Sequence, residues 1–227
     1  MDAALALKWW KEEMEKEAAA CGRTPGSVRL IPASKTVAPE RLREFVDAGW
    51  RVFGENRIQE AKAKVPLLSS QVEWHFIGGL QGNKVKDAVA LFACIHSVDS
   101  ENLLREIEKR AAVPGKIQRV LIEVNVAGEA SKHGCPPDLA PELVRLADAL
   151  PHVEVAGLMT VAPFSEDLEV VRPFFRRLRE LRDEIQQATG AVLPELSMGM
   201  THDWRVAVQE GSTMIRIGTG LFGMRAP

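Results

Sequence analysis

The sequence predicts an α/β fold, a single (β/α)8 TIM-type barrel with an extra N-terminal helix, on three observations. Eight short, apolar, β-rich runs alternate with amphipathic helical segments along 227 residues. Strict alternation implies parallel strands joined by right-handed crossovers, and eight such units close into a barrel of typically ~250 residues. No G-x-G-x-x-G follows the first strand, where Ser34-Lys35-Thr36 stands instead, and this argues against an open doubly wound sheet. No Pro/Gly/Ser-rich linker or low-complexity tract divides the chain, so residues 1–227 read as one domain.

The first element is an amphipathic helix within residues 1–22. Leu7, Trp10, Met14, Ala18 and Cys21 recur at helical spacing, and Gly22 ends the pattern. Lys8, Lys11 and Glu12 interrupt its apolar residues too early for a signal peptide. The strands follow as Val28–Lys35, Arg51–Asn56, Trp74–Gly78, Cys94–Asp99, Arg119–Val126, Val153–Thr160, Glu195–Met200 and Met214–Thr219. Between them lie helical stripes: Val85, Val89 and Phe92; then Leu139, Leu143, Leu146 and Leu150. A third stripe joins Leu168, Val171, Phe175, Leu178, Leu181 and Ile185, with Pro173 leaving its start open. Arg176/Glu180 and Arg179/Asp183 on that helix read as a solvated face, and Glu101/Arg105 as a surface pair.

Composition excludes several function classes. Hydrophobic residues at 46% and charged residues at 26% match an ordinary soluble protein. A formal net charge of −2 argues against general nucleic-acid or membrane-surface binding, and no stretch has transmembrane length. Cys21, Cys94 and Cys135 are distant and odd in number, which suits a reducing cytoplasm and gives no paired metal-ligand spacing. His133-Gly134-Cys135 reads as a turn, and no metal is expected.

Barrel active sites lie at the C-terminal strand ends. Lys35 closes the first strand there. A lysine so placed either snorkels into water or is buried, and burial lowers its pKa toward a nucleophilic neutral amine suited to a Schiff base. The seventh strand end, Ser197-Met198-Gly199-Met200-Thr201, and the eighth, Arg216-Ile217-Gly218-Thr219-Gly220, both place glycine beside a hydroxyl. They are either ordinary tight turns or the phosphate cradle that this fold places after strands seven and eight. Arg216 shares the inward face with Gly218 and needs an acceptor. That acceptor is either a carboxylate such as Glu55 or Glu123, or the ring nitrogen of a bound cofactor. His75 has the parity of an inward residue, structural or catalytic. Asn56 and Asn125 bond a cofactor or cap the following turns. A Schiff-base lysine, a phosphate cradle and a ring-nitrogen partner together describe a pyridoxal 5′-phosphate site.

Seven strings carry a family resemblance: SKT at Ser34–Thr36, FGENRIQE at Phe53–Glu60, WHFIGGLQGNK at Trp74–Lys84, HSVD at His96–Asp99, GLM at Gly157–Met159, LSMGMTHDW at Leu196–Trp204 and GSTMIRIGTGLFG at Gly211–Gly223. In that order, from about Val28 to Gly223, the chain resembles the pyridoxal-phosphate homeostasis protein family, which is similar to the barrel domain of alanine racemase. The resemblance implies that Lys35 carries the internal aldimine and that Arg216 faces the pyridine nitrogen. It implies that Ser197, Met198, Gly199, Thr201, Gly218 and Thr219 lie in the phosphate-holding segments, and that Asn56 and His75 line the pocket. Arg57 stands where these proteins often carry tyrosine, and Thr201 where serine is usual; the first alters the pocket rim, the second keeps a hydroxyl.

The same residues limit the chemistry. Arginine is always protonated, so at a pyridine nitrogen it donates and discourages ring protonation, which weakens the electron sink. Racemase-type catalysis also needs a tyrosine opposite the lysine, and this chain contains none. The resemblance therefore implies a carrier that limits free aldehyde and passes pyridoxal phosphate to apo-enzymes. The alternatives are a weak racemase or decarboxylase and, with no role for Arg216, a cofactor-free aldolase-type lysine. A cytoplasmic monomer is expected, because the C-terminal domain that helps to build the racemase dimer is missing.

Overall fold

The computed structural model describes residues 2–68, 70–129 and 132–223. Its elements alternate as expected: α1 (Ala3–Ala20), β1 (Arg29–Pro32), α2 (Pro39–Asp47), β2 (Val52–Glu55), α3 (Ile58–Lys64), β3 (Glu73–Phe76), α4 (Val85–Leu91), β4 (Cys94–Val98), α5 (Glu101–Ala112), β5 (Gln118–Glu123), α6 (Ala140–Asp148), β6 (Val153–Met159), α7 (Leu168–Thr189), β7 (Glu195–Met200), α8 (Trp204–Gln209), β8 (Met214–Ile217) and α9 (Thr219–Phe222). All eight strands are parallel, in the order β1-β8-β7-β6-β5-β4-β3-β2. The remaining seam closes between β1 and β2 through an Ala33–Gly54 bridge and a 2.8 Å hydrogen bond from Ser34 N–H to the Gly54 carbonyl.

Alternation within each strand sorts side chains into two layers. Leu30, Phe53, Trp74, Ile95, Ile122, Leu158, Leu196 and Ile215 pack outward against the helices in the main core. Inside the barrel, Ile31, Ile77 and Met214 form one apolar cluster, and Cys94, Leu121, Ala156 and Met159 another. A side chain at Gly54 would meet Ile77 and Ile31 at 2.7 and 2.9 Å, so this glycine makes room for the first cluster. The remaining interior is polar.

Seven strands leave the ladder one to three residues before the sequence pattern suggests. The cause lies at the mouth, where the backbone turns toward the next helix while its apolar residues continue. Lys35 is the clearest case: β1 ends at Pro32, so Lys35 lies in a turn three residues beyond the strand and is half-buried.

The N-terminal helix forms over Ala3–Ala20, capped by the Asp2 carboxylate, which accepts from Leu5 N–H at 3.0 Å. Its buried stripe of Leu7, Trp10, Met14 and Ala18 rests on the barrel, with Cys21 as the cap residue. Trp10 meets the Trp204 ring edge-on at 5.4 Å, and Arg205 bonds Glu13 and Glu17 at 2.6 and 3.0 Å, fastening α1 to α8. Helix α7 begins at Leu168 under an Asp167 cap and runs through Pro173. Among the described residues, no helix is long and apolar enough to cross a membrane.

Candidate functional site

The mouth is built from the turns after β1, β7 and β8, with β2 beside β1 across the seam and β4 and β5 on the far side. Register brings the first three together: Ile31 pairs with Arg216, and Met200 also pairs with Arg216. Lys35 Nζ makes no hydrogen bond or ion pair among the described residues. The cradle residues come together as the sequence suggests. Thr201 Oγ1 accepts from Gly220 N–H at 3.4 Å, linking the β7 and β8 turns. Trp10 of α1 supports the same turn, its indole N–H donating to the Gly220 carbonyl at 3.3 Å. Gly199 has φ +92°, and a Cβ there would lie 2.5 Å from Ala207 Cβ, so glycine lets α8 approach the cradle. Gly218 and Thr219 start α9. Met198 sends its side chain into the helix-facing core, which leaves only its backbone for the site.

Arg216 is 5% exposed and finds neither of the carboxylates considered for it. Its guanidinium donates instead to the Ser197 carbonyl at 2.8 Å, Ser197 Oγ at 2.6 Å and the Thr160 carbonyl at 2.8 Å. Burial pulls the guanidinium down to about 10, with Glu123 and Asp203 opposing, so it stays cationic. Those three bonds leave two of its roughly five N–H donors without an acceptor among the described residues.

A hydrogen-bonded chain runs inward from this arginine. Ser197 Oγ lies 3.0 Å from His96 Nδ1, His96 Nε2 lies 2.8 Å from His75 Nδ1, and His75 Nε2 lies 2.7 Å from the Glu73 carboxylate. Burial, then the nearby His75 and Arg216, hold His96 well below the usual histidine range, so it is neutral. The Glu73 carboxylate accepts, so for a neutral His75 ring the direction runs one way: His75 donates to Glu73, His96 to His75, and Ser197 to His96. His75 is therefore an interior residue, 1% exposed, with both ring nitrogens engaged and none left for a ligand. The donor atoms of His75, Cys94 and His96 lie within 4.8 Å of one another, a grouping the sequence spacing does not reveal. The two rings bond each other, and burial pushes the Cys94 thiol up to about 12, away from the thiolate that a metal takes.

Opposite the cradle, Asn56 and Asn125 stand half-buried after β2 and β5. Asn125 caps its turn through Nδ2 to the Glu129 carbonyl at 2.9 Å. Among the described residues, the Asn56 and Asn125 side-chain oxygens and Ser97 Oγ are buried without a partner. Beside Asn56 a depression of about 570 Å³ opens between Arg57, Phe76, Lys84, Asp99 and His133. The Arg57 side chain is 73% exposed and lies 3.7 Å from Glu60. At the end of β5, burial pushes the Glu123 carboxyl up to about 7, with Arg216 and His133 opposing and Asp99 adding.

Two features escape sequence reasoning. Glu55, Lys64 and Glu60 form a buried ionic cluster beneath the Lys35 turn, with Lys64 Nζ 2.5 Å from Glu55 and 3.0 Å from Glu60. The α7 arginines do not simply face water: Arg172, Arg176 and Arg179 converge on buried Glu210 at 3.3, 3.1 and 3.1 Å. Their three- and four-residue spacing was the available signal. Glu101–Arg105 is an exposed pair at 2.7 Å, as expected.

Comparison with known proteins adds four findings. Residues 22–226 match the family model described as alanine racemase, N-terminal domain. The pyridoxal phosphate homeostasis protein of Aquifex aeolicus is 50% identical over 226 residues, covering 99% of both chains. PipY of Synechococcus elongatus, in a structure with PLP bound, superposes with a TM-score of 0.82 at 36% identity, covering 92% of this chain and all (100%) of that one. Alanine racemase of Clostridium difficile shares the fold, with a TM-score of 0.73 at 10% identity over 96% of this chain and 57% of its own.

Proposed function

The chain belongs to the pyridoxal phosphate homeostasis protein family, and from that premise we propose that it binds pyridoxal 5′-phosphate at the barrel mouth, holds it on Lys35 and releases it to apo-enzymes. The observation that carries this reading is the pairing of Lys35 with Arg216. A half-buried lysine with no side-chain partner among the described residues stands in the turn after β1, the strand beside β8, which carries a buried arginine with two donors unused among those residues.

The residues present fit the cofactor. Ser197, Gly199, Thr201, Gly218 and Thr219, with the Met198 backbone, offer hydroxyls and N–H groups to its phosphate. Arg216 offers its spare donors to the ring nitrogen, and the chain through Ser197, His96 and His75 to Glu73 keeps the guanidinium in place. The unpartnered oxygens of Asn56 and Asn125, after β2 and β5, supply further polar groups. When bound, the cofactor supplies an aldehyde and an electron-withdrawing ring. Lys35 would hold the group through its amine, which can condense reversibly with that aldehyde, the aldehyde oxygen leaving as water. Amine exchange at that carbon reverses the attachment and regenerates Lys35.

Storage rather than turnover follows from what surrounds Lys35. Arg216 stays cationic and keeps the ring nitrogen as an acceptor, and the chain has no tyrosine to move a proton on the opposite face. The test is transfer. Protein loaded with cofactor and freed of excess is mixed with the apo form of a pyridoxal-phosphate enzyme, with a scavenger present for free aldehyde. Recovery of that enzyme's activity supports delivery; recovery no greater than from scavenged free cofactor contradicts it.

A further inference from the structure

Both neighbours of Lys35 are held by one largely buried ionic cluster, while the Lys35 side chain has no hydrogen-bond or ion-pair partner among the described residues. Lys64, 5% exposed at the end of α3, donates to the Ser34 carbonyl at 2.7 Å as well as to Glu55 and Glu60. Its ammonium thus has all three protons in use. Glu55 is 0% exposed and accepts from Ser34 Oγ at 2.7 Å and from Asn56 N–H at 3.2 Å. Glu60, one helical turn before Lys64, accepts from Thr36 N–H at 2.7 Å. Burial raises the Glu60 carboxyl, but the Thr36 and Lys64 bonds bring it below the usual range, so it is ionised at neutral pH.

Thr36 is where this cluster acts on the backbone. Its φ is +63°, and it is the only described non-glycine residue with positive φ. A β-branched residue resists that conformation, and such strain persists only where surrounding contacts over-determine it. The Glu60–Thr36 bond on one side and the Lys64–Ser34 bond on the other supply those contacts.

We propose that Glu55, Glu60 and Lys64 are positioning residues that set the backbone on both sides of Lys35 and so aim its amine at the cofactor aldehyde. The inference rests on the pyridoxal-phosphate reading above and assigns no contact between the cluster and the cofactor. The clamp acts on the covalent step alone: attack of the amine with loss of water is sensitive to where Nζ stands, whereas the phosphate cradle on β7 and β8 is built from other residues.

The experiment separates the two. The rate constant for covalent attachment of pyridoxal 5′-phosphate is followed by absorbance and by mass after borohydride. Affinity for pyridoxine 5′-phosphate, which has the phosphate and ring but no aldehyde, is measured by calorimetry. Glu60→Ala should slow attachment about tenfold or more while leaving pyridoxine phosphate affinity within about twofold. Glu60→Gln keeps an acceptor for Thr36 N–H and should fall between. Glu60 is partly exposed, so neither change leaves a buried charge alone, as Lys64→Met does by stranding Glu55. Equal attachment rates in wild type and Glu60→Ala overturn the clamp, and so does a parallel loss of pyridoxine phosphate affinity, which marks general disruption. A wild type that forms no borohydride-fixed adduct overturns the pyridoxal reading itself.

Discussion

Replacing Glu123 with glutamine should remove one pH dependence from the stability of the barrel. Glu123 closes β5 at 6% exposure and makes no ion pair among the described residues. Burial raises its carboxyl from 4.5 to about 7, although Arg216 and His133 pull the other way. The folded chain therefore holds this proton more tightly than the unfolded chain does. The stability it contributes is complete below pH 4.5 and is lost as the pH rises through about 7. At about 1.4 kcal/mol per pH unit, that interval corresponds to ~3 kcal/mol. A Gln side chain is nearly isosteric with the protonated acid and does not titrate. Urea unfolding of both proteins at about pH 4.5 and at about pH 8 measures the effect. The two should be similar in acid, and Glu123→Gln should be the more stable by ~3 kcal/mol in base. Parallel stability curves for the two proteins would refute the burial argument and place solvent at Glu123.

Three further outcomes follow from contacts around the site. Glu210→Ala strands Arg172, Arg176 and Arg179 and unties α7 from α8 beneath the cradle. Because these arginines are partly exposed, the cost is ~2 kcal/mol, a fall in melting temperature of roughly 5 °C in a thermal scan. Gly78→Ala places a Cβ 2.4 Å from the Asn56 carbonyl oxygen, so Asn56 has to move. Cofactor affinity by titration should weaken about tenfold with the far-ultraviolet dichroism retained; unchanged affinity removes Asn56 from the site. Ser197→Ala breaks the link between Arg216 and His96 and should cost ~1–2 kcal/mol in urea unfolding. A neutral result there means that water replaces the hydroxyl.

The barrel was legible because its signals are local. Apolar patterning marks the eight strands and the helices α1, α4, α6 and α7, and the helix stripe from Leu7 to Ala18 docks where its spacing points. Strand ends were less legible, since an apolar residue looks the same in the last ladder position and in the turn beyond it. Lys35 illustrates this: its address at the mouth is right, but it sits in a turn fixed by a left-handed threonine. What sequence reasoning misses are contacts between distant residues that look ordinary one at a time. Glu60 and Lys64 have the spacing of a surface helix pair, and nothing local reveals that Lys64 reaches Ser34 thirty residues earlier. Arg216 invites a carboxylate partner, yet its acceptors are two carbonyls and a hydroxyl, groups that every strand end offers. The pairing of His75 with His96, and of His96 with Ser197 101 positions away, depends on barrel closure and interior parity together.

Lys35 is central to the proposed function as the residue that takes the aldehyde. Incubating the protein with pyridoxal 5′-phosphate, reducing with borohydride and mapping peptides by mass spectrometry tests this directly. The reduced adduct should fall on the peptide containing Lys35, and Lys35→Ala should lose both the adduct and the yellow colour. Colour and an adduct of equal yield in Lys35→Ala, or an adduct confined to other lysines, would contradict the account.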